Sequence, residues 1–339
     1  MTGASLAERR AVADWAFPRW LETRTLVVIL LAVGLLIQTG RHVEVDRMVR
    51  LTGDALMAAA GLDVDSQVAR GVEKIAGSLF PLQVAERTDI SRIEGFDRTE
   101  LPLLAHIETV AHQVERMNPE TLTMEAHTET VEFLVEPVGY LIHVAAKLVE
   151  TLEIALWGTV IAIVMSAPLA FFSASNLTLN RYTYMIARAL VSGLRAVPEL
   201  VSALFLVMAY GFGPIAGVLA LAIYSAGFLG KFFAEDIENS DVKPQEALRA
   251  IGANKLKVLC HAILPDVMPQ YIAYALYVLD RNVRTATVIG IVGAGGIGQE
   301  LKGRFDMFNY SHVGTILVAI FVMVFVIDQL AARLRRRYL

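Results

Sequence analysis

The sequence predicts an all-α, polytopic integral membrane protein with about six transmembrane helices and a helical insert outside the bilayer. Three observations carry this reading. Of 339 residues, 55% are hydrophobic and only 19% charged, and mean hydropathy is positive, a more apolar balance than an ordinary soluble domain has. Charge-free runs recur at close to the ~20 residues that a bilayer-crossing helix needs. Arginines also gather at both ends: Arg9, Arg10, Arg19 and Arg24 in residues 1–24, and four more, with no acid, between Arg333 and Leu339. By the positive-inside tendency, both termini are expected in the cytoplasm.

Taken in order, residues 1–24 form a cytoplasmic segment, and "TLVVILLAVGLLIQTG" (25–40), closed by Arg24 and Arg41, is the first span. It starts too far in, and lacks the small-residue site, for a cleaved leader. Residues 41–146 are not membrane-like, with nine Lys/Arg against eighteen Asp/Glu. Stretches such as "PLLAHIETVAHQVERM" and "HTETVEFLVEPVGYLIHVAAKLVETL" place apolar residues at helical spacing, so this extracytoplasmic insert is expected to be mostly helical. His106, His112 and His127 fit neither one helical face nor a familiar ligand pattern, and read as packed or solvated rather than metal-binding.

A second region, 147–335, holds the remaining spans. Ile154 to Asn180 has no charge and stays apolar to about Ser175. Leu200 to Gly230 is also uncharged, but Gly211-Phe212-Gly213-Pro214 breaks it into two helices, the first beginning before Pro198. Another span starts near Tyr271. The last, Met307 to Ile327, is closed by Asp328, ahead of a basic tail, 336–339. Trp157, Tyr271, Tyr274 and Tyr277 suit membrane-interface or packing positions, and Met165, Met208 and Met323 suit core or lipid contacts. The single cysteine, Cys260, has no disulfide partner within the chain and is expected as a small buried hydrophobe.

The stretch "DRNVRTATVIGIVGAGGIG" (280–298) matches the apolar-run-then-glycines order of a dinucleotide fingerprint. An oxidoreductase on that pattern fails on context. Only 41 residues follow Gly298, most of them a span, and the acid expected about 20 positions on is missing. Gly293 to Gly298 are instead expected as the tight turn leaving the fifth span. The charges before them matter more, because a charge at bilayer depth is costly and marks a pathway or a partner. Arg281 and Arg284, three apart on one helical face, offer forked donors suited to phosphoryl oxygens. Asp280 either neutralises one of them when substrate is absent or simply pairs with Arg284 at four-residue spacing. Arg195 and Glu199, four apart around Pro198, read either as pathway residues or as an interfacial ion pair.

Between the fourth and fifth spans, the loop 241–269 holds "EALRAIGANKLKVLCHAILPDVMP". Residues 244–251 and 253–263 are helix-prone. Gly252 at their junction suits a left-handed turn, and Leu264-Pro265 is expected to end the second segment. Arg249, Lys255 and Lys257 beside Leu248, Leu256 and Val258 give an element able to dock apolar knobs into a partner groove. The spacing of Glu246-Ala247-Leu248, Gly252 and Ala262-x-Leu264-Pro265 resembles the Glu-Ala-Ala loop of ATP-binding-cassette importer permeases, departing from it at Leu248 and Ala262.

Over 147–335 the chain is similar to the phosphonate permease family with a methionine-permease-like core. The resemblance is carried by "TLEIALWGTVIAI", "LRAVPELVSALFLVMAYGFGPIAGVLAL", "EALRAIGANK" and "RNVRTATVIGIVGAGGIG". The N-terminal span and the long insert are departures from it. The resemblance implies that Glu246, Ala247, Leu248, Arg249, Gly252, Ala253, Lys255, Leu264 and Pro265 couple to an ATPase, and that Asp280, Arg281, Arg284, Arg195 and Glu199 line the path of phosphonate or a related phosphorus oxyanion, phosphite and phosphate included. It implies two ATPase subunits holding ATP and magnesium, an extracytoplasmic binding protein and a second permease copy as partners, in a bacterial inner membrane, with no nucleic acid and no cofactor bound by this chain. No phosphate-cradling Gly-x-x-x-x-Gly-Lys-Ser/Thr sequence occurs in it, so hydrolysis is expected elsewhere. A secondary carrier is the other class, but it needs no docking loop, and the Gly-Phe-Gly-Pro break has no counterpart in a repeated half.

Overall fold

The structure, a computed structural model, describes residues 23–62, 65–93, 95–98, 101–102, 104–117, 124–178 and 180–338. The basic segment 1–22 and the side chains of His112, His127, Arg335 and Arg337 lie outside the described residues. Two compact units divide the chain, 1–77 and 78–339.

In the first unit, α1 (Thr23–His42) covers the stretch expected as the first span, with two more residues at either end. Its apolar side chains, Leu30, Leu31, Leu35 and Leu36 among them, point outward, as lipid solvation requires. A bend of 65° leads into α2 (Val45–Ala59), whose polar side carries the pairs Arg47–Glu44 and Arg50–Asp46 at 2.9 Å each. Helix α3 (Gln67–Leu79) follows.

The second unit opens on a correction. Strands β1 (Glu86–Asp89), β2 (His106–Met117) and β3 (Met124–Glu136) form an antiparallel sheet in the order β1-β3-β2, where helices were expected. The register sets Asp89 opposite Phe133, Ile107 opposite Leu134 and Val110 opposite Val131. Thr130, Val131, Phe133 and Val135 supply the β-branched and aromatic side chains that suit a pleated, half-buried surface. Leu134 and Val135 are its buried residues.

Helix α4 (Gly139–Ser173) has 35 residues, about 50 Å at 1.5 Å each, against a hydrocarbon core of about 30 Å. The helix expected within "EPVGYLIHVAAKLVETL" is therefore present, but runs unbroken into the span. After it come α5 (Arg181–Ala196), α6 (Glu199–Tyr210) and α7 (Pro214–Asn239). The expected break at 211–214 is there, with Gly211 and Gly213 both at positive φ. Next are α8 (Val242–Ala250), α9 (Lys255–Val258), α10 (Leu264–Gly290), α11 (Gly296–Asp306) and α12 (Tyr310–Tyr338). Among the described residues four helical stretches are long and apolar enough to cross a membrane, or up to six if two bent pairs count as one span each.

Small residues let these helices close up. A Cβ at Gly217 would meet Ile154, and one at Gly230 would meet Leu169, so α7 runs parallel to α4. Gly227 lies under Val191 and Leu194, while Arg188 reaches Glu238 at 2.9 Å, so α5 runs antiparallel to α7. The Tyr271 hydroxyl donates to the Phe233 carbonyl and Ser225 meets Asn282, so α10 is antiparallel to α7 as well. One end of the bundle thus carries the glycine turns at 211–213 and 291–295. The opposite end carries the 240–254 loop.

Candidate functional site

The loop at that opposite end is built by its caps. Asp241 caps α8, accepting from the Lys243 N–H at 3.0 Å. Gly252, at φ +83°, closes it by donating to the Arg249 carbonyl, and Ala253 donates to the Leu248 carbonyl, both at 3.0 Å. Asn254 then starts α9, accepting from the Lys257 N–H at 2.9 Å. This is the expected helix-turn-helix, with the glycine in the left-handed region that a side chain resists.

The second arm differs from expectation. Pro265 does not end it: a π-helical turn, Leu259–Ile263, joins α9 to α10, with the Leu264 N–H bonding the Leu259 carbonyl. One wide turn absorbs the donor that proline lacks, and Pro265 sits in the first turn of α10. Cys260 lies on this turn and is exposed, not buried.

The residues expected to couple to an ATPase separate by exposure. Glu246, Ala247, Arg249 and Pro265 are exposed. Leu248 and Ala253 pack against the bundle core, Leu264 is half-buried, and Val258 is inside that core. Lys255 donates to the Thr178 carbonyl at 3.2 Å, tying the loop to the α4–α5 connection. The outward apolar knobs are Leu256, 60% exposed, and Ile251, 79% exposed. Sequence reasoning missed Ile251, although a large apolar residue just before a turn glycine has little reason to face water.

The charged residues meet at the bend between α5 and α6. Pro198 holds Val197 in extended backbone, and the two helices turn by 87°. The bend removes the four-residue helical relation, so no Arg195–Glu199 pair forms. Glu199 instead pairs with Arg281 of α10, both largely buried. The Arg281 guanidinium lies 4.3 Å from the Tyr224 ring centroid and 5.8 Å from that of Phe228, a cation–π cradle from α7. Arg195 drapes its stem over Gly227, one α7 position from Phe228, and its buried Nε has no hydrogen-bond partner. The structure thus brings Arg195, Glu199 and Arg281 onto one stretch of α7. Arg284, about half exposed, pairs with buried Asp280 in its own helix, a pair that fits both readings of Asp280.

Beside them, buried Asn282 donates to the Thr159 hydroxyl at 2.9 Å and accepts from Ser225 at 3.1 Å, joining α10 to α4 and α7. Tyr224, Phe228 and Asn282 had gone unassigned. Two aromatics four apart in a charge-free run were the available signal.

Of the glycines expected in the turn, Gly293 and Gly295 lie in it, whereas Gly296 and Gly298 already belong to α11, and the segment forms no phosphate cradle. Glu150 accepts from the Gly296 N–H at 3.0 Å and Thr151 from the Ile297 N–H at 2.8 Å, so side chains of α4 already fill the N-terminus of α11. Gly296, at φ +69°, leaves no room for a Cβ, which would stand 2.5 Å from the Thr151 hydroxyl. The other glycine turn docks here too: the Gly213 N–H donates to the Gly293 carbonyl at 3.0 Å.

The chain is 58% identical over 259 residues to the putative phosphite transport system permease protein HtxE of Stutzerimonas stutzeri, covering 76% of this chain and 99% of that one. It is 45% identical over 191 residues to the phosphite transport system permease protein PtxC of the same organism, covering 56% of this chain and 70% of that one. The fold is similar, over 58% of this chain and 96% of that one, to a solved structure of the MetNI methionine ABC transporter, with TM-score 0.51 at 22% identity. Residues 147–339 match the binding-protein-dependent transport system inner membrane component family, and this chain belongs to that family of inner-membrane transport permeases.

Proposed function

We propose that the chain is the membrane-spanning subunit of an ATP-driven importer for a phosphorus oxyanion, phosphite or phosphonate. The observation that carries this is Arg281, a part-buried cation held inside the bundle against Tyr224 and Phe228 of α7, with the stem of Arg195 crossing the neighbouring Gly227. Guanidinium forks suit phosphoryl-type oxygens and have no use in moving an uncharged solute. The 58% identity to a protein named for phosphite favours that member of the class.

ATP and magnesium sit on two partner ATPase subunits, which dock on the exposed Glu246, Arg249, Ile251 and Leu256. Two copies of the permease face one another across the path. The termini lie in the cytoplasm and the sheet-bearing insert on the side of the external binding protein. Closure of the ATPases pulls the two loops together and opens the path outward to receive the anion. Hydrolysis then returns it inward.

Uptake of phosphite, methylphosphonate, phosphate and methionine by the complete importer tests the reading. Preference for phosphite or methylphosphonate is expected, and preference for methionine overturns the anion assignment together with the role of Arg281.

A further inference from the structure

One guanidinium, paired with one carboxylate, lies over the α7 stretch from Tyr224 to Phe228, and the stem of Arg195 crosses Gly227 within it. Arg281 lies across the aromatic faces of Tyr224 and Phe228, so its donor edges remain for an oxygen ligand, and Glu199 supplies that ligand. Arg195 contributes a second cation whose buried Nε has no acceptor. A carboxylate and a small oxyanion present the same two-oxygen edge to a guanidinium fork. Glu199 thus occupies the position that an incoming anion needs.

The two acidic residues differ in how they are held. Asp280 pairs with Arg284 within one helix and moves with it. Glu199 comes from another element, the first residue of α6 immediately after Pro198, at the 87° bend. A small rotation at that bend carries Glu199 off Arg281 without disturbing α10. Removing it leaves the Arg281 guanidinium without its oxygen ligand.

Resting on the proposed anion import, we propose that Glu199 is an internal counter-ion, displaced from Arg281 by the transported oxyanion, so that anion entry drives movement of the α5–α6 bend. Uncharged and zwitterionic solutes lack the charge to replace it, and the exchange acts as a selectivity filter. The cost is weak anion affinity at rest, because only the fraction of molecules with Glu199 displaced can bind.

The test is titration of the permease–ATPase complex in lipid nanodiscs with inorganic phosphite, the binding protein being omitted so that its own site does not mask the signal. E199Q is expected to bind phosphite about tenfold more tightly than wild type or better, because that fraction approaches one. E199D, a methylene shorter and still charged, shifts in the same direction by less, and it decides the matter if E199Q fails to assemble. R281Q is expected to lose binding. If R281Q loses binding while neither Glu199 variant binds more tightly than wild type, the counter-ion is refuted and the import site stands. If R281Q binds as wild type does, the import site itself is wrong. Absence of binding in both Glu199 variants also overturns the proposal.

Discussion

Replacing Asn282 by alanine removes the polar link that sets the azimuth of α10. Asn282 is 3% exposed, donates to Thr159 of α4 at 2.9 Å and accepts from Ser225 of α7 at 3.1 Å. The Thr159 hydroxyl also donates to the Ala155 carbonyl at 2.7 Å, so in the variant it loses only an incoming donor. Buried Ser225 loses its acceptor. Interhelical side-chain hydrogen bonds in membranes average about 0.6 kcal/mol and reach about 1.7, so two contribute about 1–3 kcal/mol. The small cavity left by the truncation adds about 1 kcal/mol. A destabilisation of about 2–4 kcal/mol is therefore expected, read by reversible detergent denaturation of the purified protein. A cycle with Thr159→Val is expected to show coupling of about 0.5–1.5 kcal/mol. Function follows from the same geometry. At about 100° per residue, the setting of Asn282 fixes where Arg281 and Arg284, about 60° apart, lie around α10, so transport falls as α10 loses that setting. A variant within about 0.5 kcal/mol of wild type, or strict additivity with Thr159→Val, refutes the link.

Three further outcomes are expected. Ile251→Asp and Leu256→Asp change exposed side chains, so the permease folds as before, but ATPase affinity falls about tenfold or more, as for an anchor in a docking groove; co-purification at graded salt measures it. Gly296→Val meets the Thr151 hydroxyl at a positive φ and is expected to lower thermal stability by several kcal/mol, whereas Gly303→Ala, with open space around it, does not. Acid sensitivity is expected from Glu300 of α11. Burial pushes its carboxyl up, but Arg304, donating at 2.7 Å, and His143 outweigh that and hold it below the ordinary carboxylate value. Its contribution to stability is therefore complete above about pH 4.3, the unfolded value, and is lost as pH falls through the lower folded value. Melting curves from pH 7 to pH 3 show this as a fall that Glu300→Gln flattens.

The spans were legible because lipid imposes a constraint that does not depend on tertiary partners: backbone groups must be satisfied within the helix, and charges must stay out. The docking loop was legible for a similar reason, since Asp241, Gly252 and Asn254 fix caps and turn locally. The sheet was not. In "HIETVAHQVERM", Ile107, Val110, Ala111 and Val114 fall at i, i+3, i+4 and i+7, a helical stripe, while Thr109, Val110 and Val114 are β-branched. Local pattern left a tie, and the partner strand β3 broke it through pairs such as Ile107 with Leu134, information more than 20 positions away. Pro265 misled in the opposite sense, because a stop signal that holds for a regular α-helix is absorbed by one π turn.

The charged site shows where local reading has to yield. Arg195 and Glu199 stand four apart, and that spacing alone suggests a pair; Pro198 between them already argued against it, since the residue before a proline leaves the helical region. Once the helix bends, Glu199 is free to meet Arg281, 82 positions on, and Arg195 is left over Gly227 with its Nε unmatched. The glycine fingerprint at 293–298 resolves by the same logic. Its amide donors face Glu150 and Thr151, carried in from α4 nearly 150 positions earlier, so the place where a nucleotide phosphate would bind is filled by the chain's own side chains. The proposed anion chemistry rests instead on Arg281, before those glycines, whose oxygen ligand is Glu199 at the 87° bend.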